Sequence, residues 1–193
     1  MPDAVQDNTV PKMITARLRA VCNRLCNADP ILIPSVPFAD ARMSYCFENV
    51  DRIVAKNGGS PVAGWALWHK PGIYYEAELH CVWRTPAGDV IDVSPQFLNP
   101  PHILFVADAT VSLDPENPIA NRFFADSANA KPLALEYVRI AQQRGDIYNQ
   151  HRVGFPDVIM LGADALAITT RIENRMLEIE ALLDANADVC VNI

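Results

Sequence analysis

Three residues of this chain are of the types that thiol chemistry needs: Cys46, His80 and Asp92. A thiol is a weak nucleophile until it ionises; a free cysteine has a pKa of about 8.5, which a helix N-terminus or an imidazolium lowers. Phe47, Val50 and Val54, with Ile53 beside them, predict a helix over 44–57, with Ser44 as its N-cap and Asn57-Gly58-Gly59 as its left-handed stop. Cys46 then lies in the positive end of the helix dipole, beside unsatisfied amides able to hold a developing oxyanion. The other cysteines lack this placement. Cys22 and Cys26 fall on or beside the apolar face of an N-terminal helix, Cys81 belongs to a strand and Cys190 to the tail, so each reads as a small hydrophobe.

An imidazole can serve the thiol only if something orients it. The segment Glu76–Arg84 alternates, so Ala77, Leu79, Cys81 and Trp83 share one face, and Glu78, His80, Val82 and Arg84 the other, more polar one. A three-residue loop of Pro86-Ala87-Gly88, with glycine in the left-handed position that such loops favour, sets Val82 opposite Asp92 and His80 one diagonal away. The same register joins Leu79, Cys81, Trp83, Ile91 and Val93 into one apolar face. A slip of one residue would bury Asp92 in that layer or expose Trp83, so packing and catalysis ask for the same pairing.

The surrounding elements follow from periodicity. A helix is expected over 12–27, then a proline-rich, irregular extended stretch over 30–40 that carries no regular hydrogen-bond ladder. Strands at 62–69, 74–84, 89–94 and 102–107 read as an antiparallel meander. Residues 108–131 read as a long surface loop, and helical patterns follow at 132–144 and 157–184, closing with an acidic tail. Ile168, Ile172, Met176, Ile179 and Leu183 make a stripe suited to core or to an oligomer contact between copies of this chain. The expectation is one α+β domain over 1–193, with a catalytic-like core at 44–107 and a helical extension at 132–188.

Cysteine at a helix N-terminus, then histidine and aspartate on successive strands, resembles the papain-like fold in its transglutaminase-like and NlpC/P60-like branches. Tyr45-Cys-Phe-Glu-Asn-Val50, Gly58-Gly59, Gly64-Trp65, Glu76-Ala-Glu-Leu-His80, Trp83 and Asp92-Val-Ser-Pro95 also look like a set of uncharacterised bacterial proteins with that core. The likeness covers about residues 44–95. It implies a cysteine hydrolase of the thiol protease or amidase kind, which acts on an amide or isopeptide bond of a peptide or protein through an acyl-enzyme. Cys46 attacks, His80 moves the proton and Asp92 orients the ring. The chain has no glutamine between Gln6 and Gln96, and no tryptophan beside the cysteine, where Tyr45 and Phe47 stand. The oxyanion hole is therefore expected from backbone amides, such as that of Cys46, or from Ser44. Ser44, Tyr45, Trp65 and Glu78 are the candidates for contacting a substrate.

Composition narrows the alternatives. Half of the 193 residues are hydrophobic and 20% are charged, which fits a globular chain. A net charge of -7 without a basic stripe argues against nucleic acid. No apolar run reaches the roughly 18 residues of a membrane span, and the acidic N-terminus lacks the pattern of a secretory signal. Five cysteines without a CxxC pair suggest reduced thiols and a cytoplasmic protein, and no cofactor or metal is expected. Adjacent strand residues such as His80 and Cys81 cannot both bind one ion. Each candidate also has a purely structural role open to it: Cys46 as a buried thiol, His80 as a sheet histidine bonded to Glu78 or Asp92, and Trp65 as packing. The competing reading is a non-catalytic binding or structural protein on the same fold; deamidation or acyl transfer are the alternative activities.

Overall fold

The computed structural model describes residues 9–112, 119–153 and 158–188, with side chains described as far as Leu183. Helix α1 (Ala16–Leu25) starts where Thr15 Oγ1 accepts the Leu18 amide at 3.1 Å, so it is shorter than its periodicity suggests. Strand β1 (Ile31–Pro34) corrects the expectation of an irregular stretch. Pro30 precedes the strand and Pro34 ends it, so neither proline interrupts the pairs between Ile31 and Pro34.

Helix α2 (Cys46–Asn57) stops at Gly58, which has a φ of 72° and returns its amide to Val54. Strands β2 (Ser60–Lys70) and β3 (Tyr74–Arg84) pair along their whole length, from Ser60 opposite Arg84 to Lys70 opposite Tyr74. Strand β4 (Val90–Ile91) is short, β5 (His102–Ala107) follows, and β6 (Arg122–Ala125) lies inside the stretch expected to be loop, because its backbone pairs with Tyr74–Ala77. Helix α3 (Pro132–Gln150), the small hairpin β7 (Arg152–Val153) and β8 (Val158–Ile159), and helix α4 (Ala163–Asp188) complete the mixed α+β architecture. No helix among the described residues is long and apolar enough to cross a membrane.

The sheet is not a meander. Its order is β1-β5-β2-β3-β4, so β5 crosses to the far side of β2. After Ile91 the chain leaves β3 for β1: Asp92 N donates to Pro34 O at 2.9 Å and Val36 N to Asp92 O at 2.8 Å. That bridge curls the sheet into a near-barrel. Its inner face, expected to be the polar one, is lined by Ile33, Ala66, Val82, Ile103 and Phe105, all buried. Gly64, opposite His80, permits the curl, because a Cβ there would stand 2.1 Å from Val106 O and 2.8 Å from the Phe105 ring.

The outer face carries two helices. Helix α1 covers Trp65, Leu67 and Ala77, and α2 sets Val50 and Phe47 against Cys81 and Val93. A separate core joins α3 and α4 to Ile73 and Tyr74, and there Ile172, Met176, Ile179 and Leu183 pack within the chain, while Ile168 stays exposed. Of the two roles open to that stripe, four of its five residues take the core one.

Candidate active site

The expected hairpin register is present. Trp83 pairs with Ile91 and Arg84 with Val90, Thr85 N donates to Asp89 O at 2.8 Å, and Gly88 takes a φ of 99°. This alternation turns His80 and Asp92 toward the same side. The imidazole Nε2 meets Asp92 Oδ1 at 3.1 Å, and both residues are buried, 3% and 0% exposed. Asp92 is in turn held by Ser35 Oγ at 3.1 Å, the Ser94 amide at 3.0 Å and Gln96 Nε2 at 2.9 Å. A carboxylate with this many donors stays in place as the acceptor for Nε2–H, which leaves Nδ1 as the nitrogen available to the thiol.

Cys46 is the first residue of α2 and is half-buried. Burial pulls the His80 pKa down but is outweighed. The influence of Cys46, the hydrogen bond to Asp92 and the charge of that carboxylate together raise it well above the usual imidazole value. The charge of Cys46 also acts on Cys81, whose thiol burial pushes up to about 12. His80 and Cys81 point to opposite faces of β3, and Cys46 packs in the cluster that holds Cys81 and Val93. Over residues 78–82 the edge of β3 away from β2 has no strand partner among the described residues, because β6 pairs with Tyr74–Ala77 and β4 with Trp83–Arg84.

The tip of α2 differs from its expected form. Tyr45, not Ser44, is the N-cap, and it makes no side-chain capping bond; Ser44 is exposed with a φ of 67°. Amides of the first turn have no partner within the helix and remain available to an oxyanion. The Arg42 guanidinium lies 3.7 Å from the centre of the Tyr45 ring and pairs with Glu48. Asn49, fully buried one turn below the thiol, clasps this entry: its Nδ2 donates to Arg42 O at 2.7 Å and Ser94 Oγ at 3.1 Å, and its Oδ1 accepts from Arg42 N at 3.0 Å. Asn49→Ala removes both bonds to the Arg42 backbone and the buried bond to Ser94 Oγ, at about 0.5–1.5 kcal/mol for each. We expect a loss of about 3 kcal/mol in urea unfolding and slower alkylation of Cys46. Unchanged values of both would remove Asn49 from this role.

One of the substrate-contact candidates sits elsewhere. Trp65 is 0% exposed under α1 and donates its Nε1 to Asp108 Oδ2 at 3.0 Å, so it is a core residue and lines no groove. Glu78 accepts Trp68 Nε1 at 2.7 Å. Four residues not anticipated join the site: Ser35, Asn49, Ser94 and Gln96. Ser94 was legible, since an Asp whose side chain takes the amide two residues on is an Asx-turn; Gln96 stands only four residues beyond Asp92, whereas Ser35 and Asn49 arrive from a distant segment and a helix face. The remaining described thiols are held protonated by burial, with Cys22 pushed up to about 11 and Cys26 raised. Cys190 lies outside the described residues. None of the known family models, curated proteins or solved structures compared with the chain matches it.

Proposed function

We propose that this protein is a cysteine hydrolase with a papain-like core, of the transglutaminase-like or NlpC/P60-like kind, acting on an amide or isopeptide bond of a peptide or protein. The observation that carries the reading is the buried His80–Asp92 pair, joined through Nε2 at 3.1 Å, with Cys46 among the groups that raise the imidazole pKa. A histidine with a raised pKa beside a thiol takes its proton and yields a thiolate–imidazolium pair.

The thiolate attacks the carbonyl carbon, and the C=O electron pair moves to oxygen, where amides of the first α2 turn receive it. The imidazolium returns its proton to the leaving amine, the C–N bond breaks, and a thioester remains on Cys46. Water then attacks the thioester and gives its proton to His80; the acid leaves and the thiol is restored. With ammonia as the leaving group the same steps deamidate glutamine, and with an amine in place of water they transfer the acyl group.

At pH 6 an ordinary thiol with a pKa of about 8.5 is roughly 0.3% ionised. Iodoacetamide at that pH is therefore expected to alkylate Cys46 at least about tenfold faster than it alkylates a free thiol such as N-acetylcysteine. His80→Ala should remove the advantage. A Cys46 no faster than the free thiol would leave the non-catalytic binding reading in its place.

A further inference from the structure

Two arginines away from the candidate active site converge on one cleft. Arg24 stands in the last turn of α1, and Arg122 opens β6, where it pairs with Ala77; both are exposed. With Phe123, Phe124 and Gln142 they line a cleft of about 320 Å³, at the lower end of the range for small-molecule sites. Two positive charges in one cleft repel each other, and this chain has 23 acids against 16 bases with which to neutralise them. Arg19, Arg42, Arg144 and Arg175 do have carboxylate partners, whereas Arg24 and Arg122 form no ion pair among the described residues. Asp108 feels the charge of Arg122, but its carboxylate is buried and taken up by Trp65 Nε1 and by the amide and hydroxyl of Thr110. Asp146 accepts Gln142 Nε2 at 3.0 Å.

Both guanidiniums are positioned from below. Arg24 Cζ lies 5.1 Å from the centre of the Phe124 ring, and Arg122 Cζ lies 5.0 Å from that of Trp65. These rings belong to the core that α1 covers, so they restrict the two side chains without using up their N–H donors. The walls are fixed as well. Arg17 ties α1 to β6, its Nε and Nη2 donating to Ala125 O at 2.9 and 2.7 Å. Gln142 ties α3 to the same strand: its Oε1 accepts Phe123 N at 3.2 Å and its Nε2 donates to Asn121 O at 3.1 Å. Donors held in this way meet a ligand at little ordering cost. The planar fork of arginine matches the paired oxygens of a phosphate or a carboxylate.

We infer that Arg24 and Arg122 form a binding site for a small organic anion, held through a phosphate or carboxylate group. The net charge of -7 opposes a polyanionic partner, while a cleft of this size admits one such group and a short body attached to it. The site is independent of the hydrolase reading, because it uses none of the residues around Cys46.

NMR titration of the isotopically labelled full chain with glycerol phosphate, citrate and glycerol, in about 0.15 M salt to screen diffuse attraction, tests the site. Saturable shifts at β6 and the end of α1 are expected with glycerol phosphate or citrate and none with glycerol; the tighter of the two anions separates phosphate from carboxylate recognition. Arg24→Gln and Arg122→Gln should each raise the Kd about tenfold, the scale of one charge-assisted hydrogen bond. Arg19→Gln removes the same charge from an exposed, ion-paired position on α1 and should leave the Kd within about twofold. The spectrum of each variant also reports whether its fold is kept. No saturation by either anion up to about 20 mM, equal weakening in all three variants, or glycerol bound as well as its phosphate would each overturn the site.

Discussion

Asp92→Asn is expected to slow turnover of an amide substrate by on the order of 10²–10⁴-fold, the range in which loss of an orienting carboxylate falls, and to reduce the alkylation advantage of Cys46 over a free thiol. Asp92 accepts from Nε2–H of His80 and so keeps the Nδ1 lone pair toward the thiol. Asparagine has only one acceptor oxygen, and Ser94 N and Gln96 Nε2 both donate to the carboxylate it replaces. If its amide group turned to His80, Nε2 would become the acceptor and Nδ1–H would face the sulfur, which is the wrong tautomer for a base.

The pH dependence should move as well. The substitution removes two causes that raise the His80 pKa, the hydrogen bond and the charge of Asp92, while burial, which lowers it, remains. The alkaline limb of the rate profile is therefore expected to shift to lower pH. Stability follows the same sign. A raised histidine pKa contributes stability that is fully present below the unfolded value of about 6.5 and is lost as pH rises through the folded value; Asp92→Asn should diminish that acid-side contribution. Rate profiles and urea unfolding from pH 5 to 9 measure both, and a variant with the original rate and the original limb would exclude Asp92 as the orienting group.

Lys70→Met is expected to cost about 3–5 kcal/mol of stability, the range for removing one partner of a buried ion pair. Lys70 ends β2 and is 6% exposed; its Nζ lies 2.9 Å from Glu180 Oε1 on α4, which also accepts Tyr137 OH at 2.6 Å. The Tyr137 ring stacks on Tyr74 at 5.3 Å, and burial, followed by the bond to Glu180, raises its phenol pKa. Without the ammonium, Glu180 keeps a single phenol against the cost of a buried charge. Replacing both partners, Lys70→Met with Glu180→Leu, removes that stranded charge and should recover most of the loss. Urea unfolding of the two single variants and the double variant gives the coupling; a double variant as unstable as the sum of the singles would show that no buried pair operates. Lys70 lies six residues along β2 from Gly64, opposite His80, or about 20 Å. Cys46 alkylation should therefore stay unchanged, which separates the stability of the helical extension from the chemistry of the site.

Much of the site was legible because its determinants are local. Apolar spacing at Phe47, Val50 and Val54 and the glycine at 58 bound α2 to within two residues at its start and to Asn57 at its end. The loop Pro86-Ala87-Gly88 and the period-two faces set Trp83 against Ile91, so local geometry alone fixes the relation of His80 to Asp92. The misreadings share a different origin. Pro30 and Pro34 hid β1, because proline propensity says nothing of a partner as distant as Phe105. Trp65 looked available to a substrate because a strand pattern does not say which face a helix will cover.

What the sequence by itself determined is the chemistry carried by each short element: a thiol near a helix start, and an imidazole and a carboxylate turned to one side of a hairpin. Tertiary structure alone decided that β5 crosses β2, that Asp92 leaves its hairpin to bridge Ser35, and that Asn49 reaches Ser94 beside the pair. Turn geometry and side-chain alternation act over a few residues and leave a local pattern. Closure of a near-barrel depends on loop entropy and on burial of both sheet faces, which are properties of the whole chain that no single stretch records.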